Sequence, residues 1–223
     1  MPVTAPVISF DAGGVLVFPN WVRVSAALAT CGIAIAPDAL AVADAHAKLA
    51  MDQPREVSTT DNAGHGKAYF AELMNAAGVA DAPRLAAGLE AVRHENRRRS
   101  LWESVGAGVA EALSALRARA VRMIVVSNSD GRLGDLLRDA GLAGFFELLV
   151  DSADAGVEKP DPRIFAHAMA AIGASPHDLV HVGDFYEIDV VGARASGIAP
   201  ILLDPCDLHG FRDCTRIRSL AEL

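Results

Sequence analysis

The sequence predicts an α/β fold, with helices on both faces of a parallel sheet, on three observations. From about residue 100 onward, short apolar runs alternate with stretches of helical length, the rhythm of βαβ units. The chain is 52% hydrophobic but only 5% aromatic, and its small aliphatic residues suit helices packed on a buried sheet. Three of the apolar runs end in polar residues, Asp11, Ser127 and Asp184. In open parallel sheets, ligands bind beyond the carboxyl ends of the strands.

Taken in order, residues 7–10 are a short apolar run ending at Asp11 and read as a buried strand. Residues 21–97 carry helical patterns, among them 21–30, 38–51 and 67–77, and no convincing strand. Pro37 and Asp38 open the second of these, as suits a helix N-terminus. The block 18–99 interrupts the first crossover and is predicted to be an inserted helical cap. Residues 1–17 and 100–223 are then the core. Within it the pattern predicts a helix over 108–118 and a strand over 122–126 that ends at Ser127. A helix over 131–140 and a strand over 146–150 follow. Next come a helix over 162–172 closed by Gly173 and a strand over 179–182 that runs into Gly183 and Asp184. A helix over 187–196 and a last strand over 201–203 complete the pattern. There is no internal repeat.

A chain of 223 residues can hold one full α/β core and a small second module. Its formal net charge of −8 argues against nucleic acid or an anionic membrane as a partner. A phosphate-bearing substrate would therefore need local positive charge, from a divalent cation and one or two placed basic residues. The uncharged stretch over 24–37 is too short to cross a bilayer. No basic residue precedes Arg23, which argues against a secretory signal. Cys31, Cys206 and Cys214 are odd in number and scattered. They predict free thiols and a cytoplasmic location, although Cys206 and Cys214 are close enough in sequence to pair under oxidation.

Four motifs carry chemistry. In Phe10-Asp11-Ala12-Gly13-Gly14 a carboxylate follows a strand and precedes two glycines, which let the backbone turn sharply and approach a ligand. In Val126-Ser127-Asn128-Ser129 a hydroxyl at a strand end is followed by backbone amides that can hold a phosphate oxygen. In Glu158-Lys159-Pro160-Asp161-Pro162 the proline restricts the backbone of Lys159, so its ammonium can be projected in a fixed direction. In Gly183-Asp184-Phe185-Tyr186-Glu187-Ile188-Asp189 two carboxylates stand five positions apart at a strand-to-helix junction. The first can take a hard cation such as magnesium through oxygen, and the second can orient the ligands. Singly, each motif also reads as a turn, a cap or a solvated loop.

As an ordered set they resemble the motifs of the haloacid dehalogenase superfamily. EKPDPRIF and HVGDFYEIDVVGARASG look especially close to bacterial members, and the insertion looks like their first type of helical cap. The resemblance implies a Rossmann-like core and a magnesium-dependent phosphatase that acts on a small phosphorylated metabolite through an aspartyl-phosphate. Asp11 would be the nucleophile. Asp11, Asp184 and the carbonyl of Gly13 would bind magnesium. Ser127, backbone amides near Asn128, and Lys159 would hold the phosphoryl group, and Asp189 would support the metal shell or Lys159.

The sequence departs from the phosphatase pattern at Gly13, where the family's second Asp normally protonates the leaving group. General acid help is worth about 10²–10⁴-fold. The departure leaves other readings open: a phosphonate hydrolase using a cap lysine, a dehalogenase, or a weakened phosphate-binding protein. Lys48 and Lys67 are the cap lysines, expected as exposed helix residues. Substrate choice is expected in the cap, where His46, Lys48, Arg55, Asn62, His65, Lys67 and Tyr69 are the polar candidates, each more readily a surface residue than a contact. Arg97, Arg98 and Arg99 are expected on a solvated helix face.

Overall fold

The computed structural model describes residues 5–53 and 62–223, with the backbone alone over 62–67. It divides into two units, Met1–Phe18 with Ser104–Leu223, and Pro19–Glu103.

In chain order, the elements begin with β1 (Val7–Phe10) and β2 (Val17–Pro19). Four helices follow: α1 (Trp21–Ala29), α2 (Pro37–Met51), α3 (Asn62–Ala76) and α4 (Ala82–Arg98). The chain then forms β3 (Trp102–Val105), α5 (Val109–Ala118), β4 (Arg122–Ser127) and α6 (Leu133–Asp139). After these come β5 (Leu148–Asp151), α7 (Ser152–Ala155), α8 (Arg163–Ile172) and β6 (Leu179–Gly183). A wide turn over Tyr186–Val190 leads into α9 (Val191–Ala195), and β7 (Ala199–Leu203) and β8 (Thr215–Ile217) close the sheet.

Six strands pair in the order β5-β4-β1-β6-β7-β8, all parallel. This is the Rossmann-like arrangement. β1 is central, and the chain order reverses across it, so the carboxyl end of β1 lies at a topological switch point. All four residues of β1 are buried. Because successive side chains of a strand point to opposite faces, a strand buried throughout is covered on both. On one face Val7, Ile124, Val126, Val150 and Leu179 pack against Ile164, Phe165 and Ala168 of α8. Gly173 ends α8 in the left-handed conformation (φ 66°), where a side chain would strain the backbone.

The second unit is helical. Asn20 caps α1 by accepting from the Arg23 N–H at 3.1 Å, and Asp81 caps α4 by accepting from the Arg84 N–H at 2.9 Å. The interior is closely packed: a Cβ on Gly88 of α4 would lie 2.7 Å from Met74 Sδ and 2.9 Å from Ile33 Cδ1. Arg97, Arg98 and Arg99 sit on the surface and pair with Glu90, Glu95 and Glu103. The expectation that Lys48 is exposed is corrected. Lys48 is buried and its Nζ lies 2.9 Å from Asp44 Oδ2, one helical turn earlier. Tyr69 is also buried and donates to Asp44 Oδ1 at 2.6 Å. A lysine among apolar neighbours is retained when a carboxylate meets it. His46 is exposed. Arg55 and the side chains of Asn62, His65 and Lys67 lie outside the described residues.

The main departures in the core are local. The strand expected from residue 146 begins at Leu148, after a tight 3₁₀ turn over Ala143–Phe145. The helix expected over 187–196 is a π-type turn followed by the short α9. β8 and the pair β2–β3 were not anticipated. Among the described residues no helix is long and apolar enough to cross a membrane, and the three cysteines are free.

Candidate active site

Sheet register gathers the motif residues. Phe10 is level with Val125 on β4 and with Val182 on β6. Asp11 follows Phe10, Ser127 stands two residues beyond Val125, and Asp184 two beyond Val182. All three therefore leave one edge of the sheet on adjacent strands, which run about 4.8 Å apart. The Asp11 N–H still donates to the Val182 carbonyl at 2.8 Å, which fixes Asp11 to the sheet. The chain then turns. The Gly14 N–H donates to the Val17 carbonyl at 2.8 Å, and it is Gly14, not Gly13, that takes the positive φ, 78°.

The carboxylates of Asp11, Asp184 and Asp189 each offer an oxygen within 4.8 Å of the others. Lys159 enters this group from its loop. Its Nζ donates to Asp11 Oδ1 at 2.8 Å and to Asp189 Oδ1 at 2.6 Å, and its side chain is only 1% exposed. Burial works against the ammonium, but Asp11 and Asp189 outweigh it and hold the Lys159 pKa above the ordinary lysine value. Burial would likewise push Asp189 up. Lys159, with help from His181, holds it far below the ordinary carboxylate range. Both residues are therefore charged at neutral pH.

Asp189 is fully engaged. Its Oδ1 accepts from Lys159 and faces His181 Nε2 at 3.1 Å, while its Oδ2 accepts from the backbone N–H groups of Asp184 at 3.1 Å and Phe185 at 3.0 Å. It therefore supports Lys159 and the backbone beneath Asp184. The π-type turn after Phe185 makes this possible, since it folds the Asp189 carboxylate back over residues 183–185. Such turns recur at functional sites.

Asn128 has a role that the sequence motif did not reveal. Its Nδ2 donates to the Lys159 carbonyl at 2.9 Å, and its Oδ1 accepts from the Lys159 N–H at 2.8 Å. The side chain thus clamps the lysine loop, whose Lys159–Pro160 peptide is cis. Ser127 is buried at the end of β4. The loop after it is tied down by Asp151, at the level of Ser127 on β5. Asp151 Oδ2 accepts from the N–H groups of Gly131 at 3.0 Å and Leu133 at 3.1 Å.

Sequence reasoning missed Asp151, and it missed Ser9 and His181. Both of the latter are fully buried, with Ser9 Oγ 3.0 Å from His181 Nδ1. A signal existed. Ser9 and His181 interrupt otherwise apolar strands, and the register sets them level on β1 and β6.

The donor set suits magnesium. Asp11 and Asp184 present hard carboxylate oxygens at one sheet edge, and magnesium takes one or two carboxylates together with waters. Asp189, with both oxygens occupied by nitrogen donors, completes the surround.

Comparison with known proteins fits this geometry. The chain is 37% identical over 132 residues to haloacid dehalogenase-like hydrolase domain-containing protein 3 of Bos taurus, an overlap of 59% of this chain and 52% of that protein. It is 37% identical over 140 residues to the phosphoserine phosphatase of Thermus thermophilus, covering 60% and 53% respectively. The chain thus spans about half the length of these relatives. The HAD-hydrolase YfnB of Bacillus subtilis, whose crystal structure is bound to magnesium, shares the fold with a TM-score of 0.66 at 19% identity over 98% of this chain and 96% of that one. Residues 6–197 match the family described as haloacid dehalogenase-like hydrolase, and the chain belongs to that family.

Proposed function

We propose that this chain is a magnesium-dependent phosphatase that hydrolyses a small phosphorylated metabolite through an aspartyl-phosphate on Asp11. The observation that carries this reading is Lys159 Nζ, bonded at 2.8 Å to Asp11 Oδ1 inside a cluster of three carboxylates. An anionic nucleophile meets an anionic phosphoryl group only where cations screen both, and phosphoryl transfer depends mostly on positioning and electrostatics. The phosphoserine phosphatase of Thermus thermophilus and the phosphoglycolate phosphatase of Nitrosospira multiformis, 38% identical over 91 residues, support a small phosphorylated substrate.

A carboxylate oxygen of Asp11 forms a bond to phosphorus as the bond to the leaving oxygen breaks. The leaving oxygen takes a proton from solvent water, since Gly13 has no side chain to supply one. Water then attacks phosphorus, which releases inorganic phosphate and restores Asp11. Ser127 and the backbone amides near Asn128 hold phosphoryl oxygens, and Lys159 neutralises charge on Asp11 and on the transferred group. Asp11, Asp184 and the Gly13 carbonyl would hold the magnesium, whose charge stabilises the phosphoryl oxygens. The helical unit Pro19–Glu103 acts as the cap that selects the substrate. Three free cysteines support a cytoplasmic location.

Gly13 supports one competing reading, a phosphate-binding protein with little turnover. A panel of phosphorylated metabolites and an aryl phosphate, with and without magnesium, separates the two. We expect magnesium-dependent release of phosphate from wild type and none from Asp11→Asn. Phosphate binding without release by the wild type would refute the enzymatic reading.

A further inference from the structure

Ser9 and His181 are buried polar side chains that the chemistry above does not use. His181 Nε2 lies 3.1 Å from Asp189 Oδ1, and His181 Nδ1 lies 3.0 Å from Ser9 Oγ. Burial disfavours the imidazolium and pushes the His181 pKa down, so the ring is neutral. An ionised carboxylate only accepts, so the single ring hydrogen sits on Nε2 and is donated to Asp189. Nδ1 is then a bare acceptor, and the Ser9 hydroxyl donates to it. The Phe165 ring meets the imidazole edge-on, with centroids 4.8 Å apart, and holds its plane.

The same Asp189 oxygen accepts from Lys159 at 2.6 Å, and Lys159 in turn donates to Asp11 at 2.8 Å. A continuous line of hydrogen bonds therefore runs from the interior of the sheet to the nucleophile: Ser9, His181, Asp189, Lys159, Asp11. A lysine side chain has several rotatable bonds, and its ammonium stays on one oxygen only if its second partner is itself fixed. Two backbone amides hold Asp189 Oδ2, and His181 is the group that fixes Oδ1.

We propose that Ser9 and His181 are positioning residues, which fix Asp189 and through it the Lys159 ammonium on Oδ1 of Asp11. The proposal rests on the phosphatase reading for its kinetic test and is independent of it for its spectroscopic one.

The experiment uses the full chain and the variants Ser9→Ala, His181→Leu and His181→Gln, with folding and magnesium content matched. With an aryl phosphate, His181→Leu should lose about 10–100-fold in kcat, the usual cost of removing a supporting partner, with KM little changed. His181→Gln, whose amide can donate to Asp189, should recover most of that loss. Ser9→Ala should lose about 3–10-fold, the worth of one neutral hydrogen bond. Nitrogen-15 spectra should show the His181 hydrogen on Nε2 and a displaced Nδ1 resonance in Ser9→Ala. The Lys159 ammonium signal, protected from exchange in wild type, should broaden in His181→Leu. If His181→Leu does not fold, the nearly isosteric Ser9→Ala carries the same readouts. Wild-type kcat in a folded His181→Leu, a Gln variant no better than Leu, or a ring protonated on Nδ1 would each overturn the proposal. If wild type releases no phosphate at all, the phosphatase reading fails, and the nitrogen spectra still decide the positioning role.

Discussion

At position 183 only a hydrogen atom fits. A Cβ built there would lie 2.1 Å from Asp189 Cγ and 2.3 Å from Asp189 Oδ2, so the glycine is required by the carboxylate that folds back over it. Gly183→Ala should therefore displace Asp189, lower stability by about 1–3 kcal/mol as overpacked sites do, and weaken magnesium binding. Denaturant unfolding and calorimetry would measure the two effects. An alanine variant that kept both wild-type values would show that Asp189 can move without consequence. At Gly13 the backbone does not demand glycine, since the positive φ belongs to Gly14. The wild type should hydrolyse aryl or acyl phosphates in preference to alkyl phosphates, because a poor leaving group needs the proton that no side chain at position 13 can give. Gly13→Asp should narrow that gap in a leaving-group series. A flat series in the wild type, with chemistry rate-limiting, would mean that another acid already acts. The residues legible in the sequence were those carried by motifs: Asp11, Ser127 and Asp184 at strand ends, Lys159 in a proline-flanked loop, and Asp189 in the turn after Asp184. Asn128 was legible by position but not by role. Ser9, His181 and Asp151 were hidden because their importance lies in partners that only the register brings together.

At the scale of elements, the core helices and strands were legible wherever periodicity and a glycine or proline stop agreed, as in α8 with Gly173. The widened turn after Asp184 was not, because the sequence there is also compatible with an ordinary helix. Long-range partners hold it instead. Arg212 Nη1 lies 2.9 Å from Glu187 Oε1, and the Arg212 guanidinium sits 4.2 Å from the centre of the Tyr186 ring. Arg194 bonds Asp213 at 3.0 Å. β8 escaped notice because it is three residues long with an arginine at its centre. The loop that supplies Arg212 begins at Asp204, whose carboxylate accepts from the N–H groups of Leu208 and His209, each at 2.9 Å, and from Arg216 at 3.0 Å. Burial would raise the Asp204 pKa, but the two backbone donors and Arg216 bring it below the ordinary value. A carboxylate depressed in the folded state contributes stability above its unfolded pKa and loses it as pH falls through the folded one. Asp204 should therefore stabilise the fold above about pH 4 and progressively less below it. Asp204→Asn should be less stable than wild type at pH 7, and its stability should fall less steeply with acid. Urea unfolding at a series of pH values tests this, and parallel curves for the two proteins would refute it.

At the scale of the molecule, every residue of the candidate site comes from the unit Met1–Phe18 with Ser104–Leu223, which also supplies the whole six-stranded sheet. The sequence changes rhythm near residue 100, from helical patterns to alternating strands and helices, and gives no sign of the short strands β2 and β3. The chain leaves the unit at Phe18 and returns at Ser104. Its ends there lie side by side, since the Gly106 N–H donates to the Leu16 carbonyl at 3.2 Å. Insertions between close ends can often be removed without loss of the parent fold. Joining Phe18 to Ser104 through a short Gly/Ser linker should therefore leave a folded α/β core, checked by circular dichroism. If Asp11 and Asp184 hold the metal, that core should bind magnesium with an affinity close to that of the full chain. If the helical unit selects the substrate, the truncated protein should lose its preference among phosphorylated metabolites. Its activity on a generic aryl phosphate should fall by a smaller factor, because the residues proposed to hold the phosphoryl group are still present. Calorimetry reads the first outcome and a substrate panel the second. A folded core that no longer bound magnesium would place a ligand within residues 19–103. A core that kept the full substrate preference would move recognition to the loops at the carboxyl edge of the sheet.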